Sequence, residues 1–93
     1  MNAAFIDLPL IHEPERHRFS LDVDGYQSFI SYHIENGTYI LDHTESDPAL
    51  EGRGVASAMV EKLMNYFKEN KMQMIARCPF IFSYLRRHPE LQP

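Results

Sequence analysis

The sequence contains no tryptophan, one cysteine and only four glycines, so the few residues of these types stand out. A single cysteine excludes an intramolecular disulfide and is typical of a reducing compartment, which favours a cytoplasmic location. No apolar run approaches the ~18 residues of a membrane-spanning helix, and we expect no membrane partner. The apolar start of the chain is interrupted at Asp7 and Pro9 and lacks a basic beginning, which is untypical of a secretory signal peptide.

Basic residues are also few: the chain has 9 Lys and Arg against 13 Asp and Glu, which gives a net charge of −4 at pH 7. A nucleic-acid partner is disfavoured, because neutralising phosphates requires a basic face. The five histidines lack the spacing of metal ligands, and with one cysteine we expect no metal site. The length of 93 residues predicts a single domain over residues 1–93, which we expect to be a monomer.

The first half of the chain has the pattern of an antiparallel sheet. Asp24-Gly25 and Asn36-Gly37 are strong hairpin signals. They separate three runs rich in β-branched and aromatic residues: RFSLDV, QSFISYHI and TYILDHTE. We therefore predict a three-stranded antiparallel meander.

After Asp47 the hydrophobic period becomes helical. Apolar residues recur on one helical face from Val55 to Phe67. MQMIARC then predicts a fourth strand, parallel to the third through a right-handed crossover, and Pro79 suits the start of a second helix that ends before Pro89. The expected fold is α/β (α+β), with the order β-β-β-α-β-α. Residues 1–16 fit either an extra edge strand or a loose arm.

Gly52 and Gly54 lie just before the first predicted helix. Such a loop exposes free backbone N–H groups at the positive end of the helix dipole, which suits a phosphate. A Rossmann fingerprint would require glycine where Ser57 stands, and a Walker loop would require Gly-Lys-Ser or Gly-Lys-Thr. The remaining alternatives are a phosphate loop of another kind and an ordinary glycine-rich helix entry.

Two longer motifs carry a family resemblance. HTESDPALEGRGVASAMVEKL, followed by CPFIFSYLRRHPE, resembles the small single-domain YjdJ-type (NATD-like) branch of the GNAT N-acetyltransferase superfamily. The similarity covers roughly residues 18–90. It implies a minimal GNAT-like fold and acetyl-CoA (CoA) as co-substrate.

The resemblance also implies a set of cofactor-binding residues. Backbone amides of the loop would bind the pyrophosphate, the pantetheine arm would lie between the third and fourth strands, and residues of the third strand would line the thioester. The loop positions are Gly52, Arg53, Gly54, Val55, Ala56 and Ser57, and the strand positions are Asp42, His43 and Thr44.

Three residues are catalytic candidates. Cys78 precedes Pro79 at a helix start, where the dipole favours a thiolate; it could line the thioester, carry an acyl group, or be a small buried residue. Tyr84 could protonate the departing CoA thiolate, as the resemblance implies, or pack beside Phe80. His43 could deprotonate the acceptor, with Glu45 acting through a water as the alternative, or be a hydrogen-bonded strand histidine.

Arg87 lies in the densest basic cluster, Arg86-Arg87-His88, and could meet the 3′-phosphate of CoA, as could Arg53. A solvated helix face is the alternative. The expected function is an acetyl-CoA-dependent N-acetyltransferase that acts on an amine, either a protein lysine or amino terminus or a small amine, by direct attack. The alternatives are a non-catalytic acyl-CoA-binding module and a structural adaptor without a ligand.

Overall fold

The computed structural model describes residues 3–93, which form a mixed five-stranded sheet in the order β1-β2-β3-β4-β5. Neighbouring strands are antiparallel except β4 and β5, which are parallel. The strands are β1 Ile11–Glu13, β2 Arg18–Val23, β3 Tyr26–Glu35, β4 Thr38–Ser46 and β5 Met74–Ala76. The helices are α1 Ala3–Ile6, α2 Val55–Glu69 and α3 Pro79–Arg87, and short 3-10 turns occupy Pro14–Arg16, Pro48–Leu50 and Pro89–Leu91.

The expected fold class is confirmed. Both predicted hairpins are present, and both central residues of each turn have positive φ (53° and 83° at Asp24-Gly25, 50° and 80° at Asn36-Gly37). These angles match the twist of the flanking strands, which is why the two dipeptides produce tight hairpins. The predicted fourth strand is β5, parallel to β4 across α2.

The amino-terminal segment contains an edge strand, one of its two predicted alternatives. β1 pairs antiparallel with β2, from Ile11 opposite Ser20 to Glu13 opposite Arg18. The short helix α1 precedes it, and Phe5 of this helix is buried in the core. Residues 1 and 2 of the predicted arm lie outside the described part of the chain.

The core lies between the sheet and α2. The helix buries Met59, Leu63 and Phe67 against strand residues that include Phe19 and Ile30. Burying such a side chain contributes about 1.5–3 kcal/mol relative to leaving it exposed, so the amphipathic pattern fixes which face of α2 meets the sheet. Across residues 3–93, no helix has both the length and the hydropathy needed to cross a bilayer.

Candidate functional site

β4 and β5 separate partway along β4. Their last pair is Leu41 with Ala76, and the Leu41 carbonyl then accepts N–H groups from both Arg77 (3.0 Å) and Cys78 (2.9 Å). Beyond this point the chain after β5 turns into α3, while β4 continues from Asp42 to Ser46. Residues 42–46 of β4 therefore have an edge that no described strand pairs with on the β5 side. We call this opening the fork, and Leu41 its vertex.

A β-bulge lies next to the vertex. Tyr32 pairs with Leu41 and Ser31 pairs with His43, so Asp42 is an extra residue in β4. A bulge bends its strand and increases the local twist, which favours the separation from β5. Past the bulge, Thr44 lies opposite the core residue Ile30, and His43 faces the other side of the sheet.

Cys78 and Thr44 meet inside the fork. Cys78 is the N-cap residue of α3, its side chain is only 5 % exposed, and its Sγ lies 3.4 Å from Thr44 Oγ1. His43 is exposed on the opposite face, so the structure does not bring it together with the other two catalytic candidates. The thiol and the hydroxyl form one wall of the fork on the core side.

The side chain of Tyr84 reaches from α3 to the first turn of α2. Its phenol hydrogen-bonds with Ser57, and its ring lies beside those of Phe80 (6.2 Å between centroids) and His88 (4.5 Å). Burial, and then the charge of Glu61, raises the pKa of Tyr84, while the Ser57 hydrogen bond acts in the opposite direction. The phenol is therefore a hydrogen-bond donor at neutral pH.

The loop before α2 is anchored at both ends. Leu50 and Val55 are buried (2 % exposed each), and the Asp47 carboxylate accepts the Ala49 N–H at 2.9 Å. Between these anchors Gly52 and Gly54 both have φ of +77°, a conformation that costs other residues about 1–2 kcal/mol. The glycines are thus required by the backbone conformation of the loop.

The amino terminus of α2 is open above the loop. A Cβ at Gly52 or Gly54 would have no described atom within 4 Å, so space remains over the backbone. Gly54 is the N-cap residue, and no side chain of residues 3–93 caps the helix there. The first N–H groups of a helix lack intrahelical partners, and together with the dipole they can hold an anion. The Val55 side chain is buried, so only the backbone of this residue is open to a ligand.

The two arginines proposed for phosphate contacts have different surroundings. Arg53 Nη2 donates to Asp24 Oδ2 at 2.9 Å, which ties the glycine loop to the β2–β3 turn. Arg87 is exposed in the last turn of α3, with its Cζ 5.9 Å from the centroid of the Tyr84 ring. Both guanidinium groups are accessible to solvent.

Sequence reasoning missed His33. Its Nδ1 lies 2.6 Å from Asp42 Oδ2, and its Nε2 lies 2.8 Å from Glu35 Oε2. These hydrogen bonds, from Asp42 first and then Glu35, raise the pKa of His33. The pair joins β3 to the bulge of β4, and the sequence contained no signal for the bulge that places Asp42 within reach.

A cavity of about 580 Å³ lies away from the fork, at the other end of β4 and β5, between Thr38, Ile75 and the end of α2. Within residues 3–93 no group of three or more His, Cys, Asp or Glu side chains could hold a metal ion.

Comparisons with known proteins give a family match for the chain. A family model described as GCN5-related N-acetyl-transferase matches residues 18–93. A curated relative, Protein NATD1 of Xenopus tropicalis, is 26 % identical over 81 residues, which cover 84 % of this chain and 74 % of that protein. The family-model match includes the glycine loop, the fork and α3.

Proposed function

The chain belongs to the GCN5-related N-acetyltransferase family, and on this premise we propose that it binds acetyl-CoA in the fork and transfers the acetyl group to an amine. The observation that carries the proposal is the unpaired edge of β4 at residues 42–46, which opens beside the free amino terminus of α2. A free strand edge can hydrogen-bond with the amides of an extended ligand, and a free helix amino terminus can hold a phosphate group.

The pyrophosphate would lie over Gly52 and Gly54. No described atom lies within 4 Å of the place of a Cβ at either glycine, so a phosphate could approach the backbone there, and an added Cβ would stand in its way. Arg53, already held near the loop by Asp24, and Arg87 would add charge-assisted contacts to phosphate oxygens. Ala56 and Ser57 are half-buried in the first turn of α2 and would contribute backbone groups.

The pantetheine arm would pair with the free edge of β4. Asp42, His43 and Thr44 offer backbone groups at the start of that edge, as a further strand would use them. The thioester would then lie near the vertex, between Thr44 and Cys78 on the core side.

In the transfer step the neutral amine attacks the thioester carbonyl carbon directly. A C–N bond forms, the C–S bond breaks, and CoA leaves as a thiolate while the amine releases its proton to water. The protonated Tyr84 phenol would leave Ser57 and donate a hydrogen bond to the developing thiolate. This assigns Cys78 to the wall of the site rather than to a covalent intermediate, in agreement with its burial.

A non-catalytic acyl-CoA-binding module is the second candidate. The observation in its favour is the separation of His43 from Cys78 and Tyr84, which leaves the three candidate catalytic residues on two sides of the sheet. Such a module would bind acetyl-CoA through the same loop and fork.

The test begins with the melting temperature in the presence of acetyl-CoA. A ligand at 100 times its Kd that binds only the folded state stabilises it by about 2.7 kcal/mol, which corresponds to roughly 10–20 °C in a domain of this size. Absence of any shift at millimolar acetyl-CoA would refute both candidates.

A variant separates the enzyme from the module. We expect Tyr84→Phe to lower the rate of acetyl transfer about tenfold or more and to leave the Kd for acetyl-CoA within about twofold, since the lost hydrogen bond acts on the leaving thiolate. Ser83→Ala, an exposed neighbour on α3, is the control. If wild type binds acetyl-CoA but transfers acetyl to no amine, the module is the correct description.

A further inference from the structure

A chain of charged side chains lies at the vertex of the fork, on the face of the sheet opposite α2. Asp42 Oδ2 meets His33 Nδ1 at 2.6 Å, His33 Nε2 meets Glu35 Oε2 at 2.8 Å, and Arg77 Nη2 lies 3.9 Å from that same Glu35 oxygen. Both ring nitrogens of His33 thus face carboxylate oxygens, an arrangement in which both can donate only as the imidazolium. The His33 side chain is 42 % exposed and that of Asp42 is 23 % exposed, so solvent reaches both.

Asp42 directly follows Leu41, the vertex of the fork. It is the first residue of β4 past the last pair with β5, and it is the extra residue of the bulge. Its carboxylate turns to the face away from the core, because it contacts His33, whose strand neighbour Tyr32 is a core residue.

The opposite side of the fork is the side that we assign to the cofactor. Thr44 and the buried Cys78 line it, and Tyr84 of α3 interacts there with Ser57 of α2. A cofactor held at the amino terminus of α2 occupies what remains of that side. An amine therefore reaches a thioester at the vertex from the face that carries Asp42.

We propose that the acceptor is a protonated amine that approaches across this face and is bound by the Asp42 carboxylate, with His33 as a positioning residue that holds this carboxylate at the vertex. The inference rests on the proposed acetyl transfer. The bound ammonium loses its proton to water before the neutral nitrogen attacks. Without His33 the carboxylate has no hydrogen-bond partner among residues 3–93 to fix its rotamer at the bulge.

A shallow cavity of about 290 Å³ lies further along the same strand, lined by Gln27, Phe29, Glu45, Ser46 and Asp47. Glu45 pairs with Phe29 on the face that also carries His43, about 10 Å along β4 from Asp42. The carboxylates of Glu45 and Asp47 in this cavity favour an acceptor with further positive charge beyond the reacting amine, whereas the Phe29 ring is already covered by the Arg18 guanidinium, whose Cζ lies 4.5 Å from its centroid.

The test compares two acceptors that both carry a phenyl ring: benzylamine, which is protonated at neutral pH, and aniline, which is uncharged. Acetyl transfer from acetyl-CoA is measured for wild type, Asp42→Asn, His33→Ala and His33→Asn. The last variant restores a donor near the position of Nδ1. Asp22→Asn, an exposed carboxylate on β2 away from the fork, is the matched control.

We expect Asp42→Asn and His33→Ala to raise the KM for benzylamine about tenfold, while the KM values for aniline and for acetyl-CoA stay within about twofold. His33→Asn should recover part of the loss, which a merely structural role would not predict. Equal losses with both amines, or no loss with either, would overturn the inference and leave the acetyltransferase standing. A wild-type protein that acetylates neither amine would overturn the inference, and if it also acetylates no lysine-containing peptide, the proposed activity would be refuted with it.

Discussion

Replacing Gly54 by alanine should lower both the affinity for acetyl-CoA and the stability of the free protein, each for a different reason. Gly54 has φ of +77°, and an added methyl group would meet no described atom within 4 Å. The left-handed backbone conformation costs alanine about 1–2 kcal/mol, so the free protein should lose that much stability, or roughly 5–15 °C in melting temperature. The methyl group would also stand in the space over the backbone where we place the pyrophosphate.

Gly37 provides the control. It has φ of +80° in the β3–β4 hairpin, its added methyl group would also meet no described atom within 4 Å, and it lies away from the loop before α2. Gly37→Ala therefore carries the same backbone cost without reaching the proposed ligand. The two variants should unfold at similar urea concentrations when no ligand is present.

Titration calorimetry with acetyl-CoA then separates the two effects. We expect Gly54→Ala to bind about tenfold more weakly or worse, a loss of about 1.4 kcal/mol or more, and Gly37→Ala to bind like wild type. Equal affinities for the two variants, with equal losses of stability, would show that the loop is an ordinary helix entry and would refute the phosphate assignment.

Two further predictions concern histidine titration and the buried thiol. Burial lowers the pKa of His12, whose Nε2 lies 2.7 Å from the Tyr32 hydroxyl, so its contribution to stability is present above pH 6.5 and is lost as pH falls from there through the folded pKa. The pKa of His33 is raised, so its contribution is present below pH 6.5 and is lost as pH rises through the folded pKa. The free energy of unfolding, measured in urea at several pH values, should no longer fall below pH 6.5 through this group in His12→Phe, and should no longer fall above pH 6.5 through this group in His33→Gln. An unchanged pH dependence of the unfolding free energy in either variant would contradict the assignment. We expect Cys78→Ala to keep acetyl transfer within about tenfold of wild type, since attack is direct; a loss above a hundredfold, with an acetylated cysteine in the mass spectrum of wild type, would favour a covalent route.

The fold was predictable where local signals agree with the tertiary structure. The dipeptides Asp24-Gly25 and Asn36-Gly37 demand positive φ at consecutive residues, and the apolar stripe of α2 has a helical period over its whole length. The sequence does not distinguish an edge strand from a loose arm at β1, because three residues are too short to show a period. Its position comes from pairing with β2, which is a tertiary contact.

The candidate site was predictable only in its local part. The loop at residues 51–57 appears as a continuous motif, whereas its ties to the rest of the molecule join distant residues. Arg53 meets Asp24 across the sheet end, and Tyr84 meets Ser57 across the fork. His33 could not be found, because its role depends on a register shift that the composition of β4 does not reveal.

The register shift at Asp42 determines which side chains of β4 face the core and which face solvent at the site. In a regular strand following Leu41, residue 43 would face the core and residue 44 would face away, because side chains alternate with a period of two. The extra residue Asp42 inverts this order, so that Thr44 faces Cys78 and His43 faces solvent. The same insertion frees Asp42 to reach His33 on the outer face. Deleting Asp42 would thus be expected to remove the wall of the fork and the proposed acceptor contact together, whereas Asp42→Asn removes only the second.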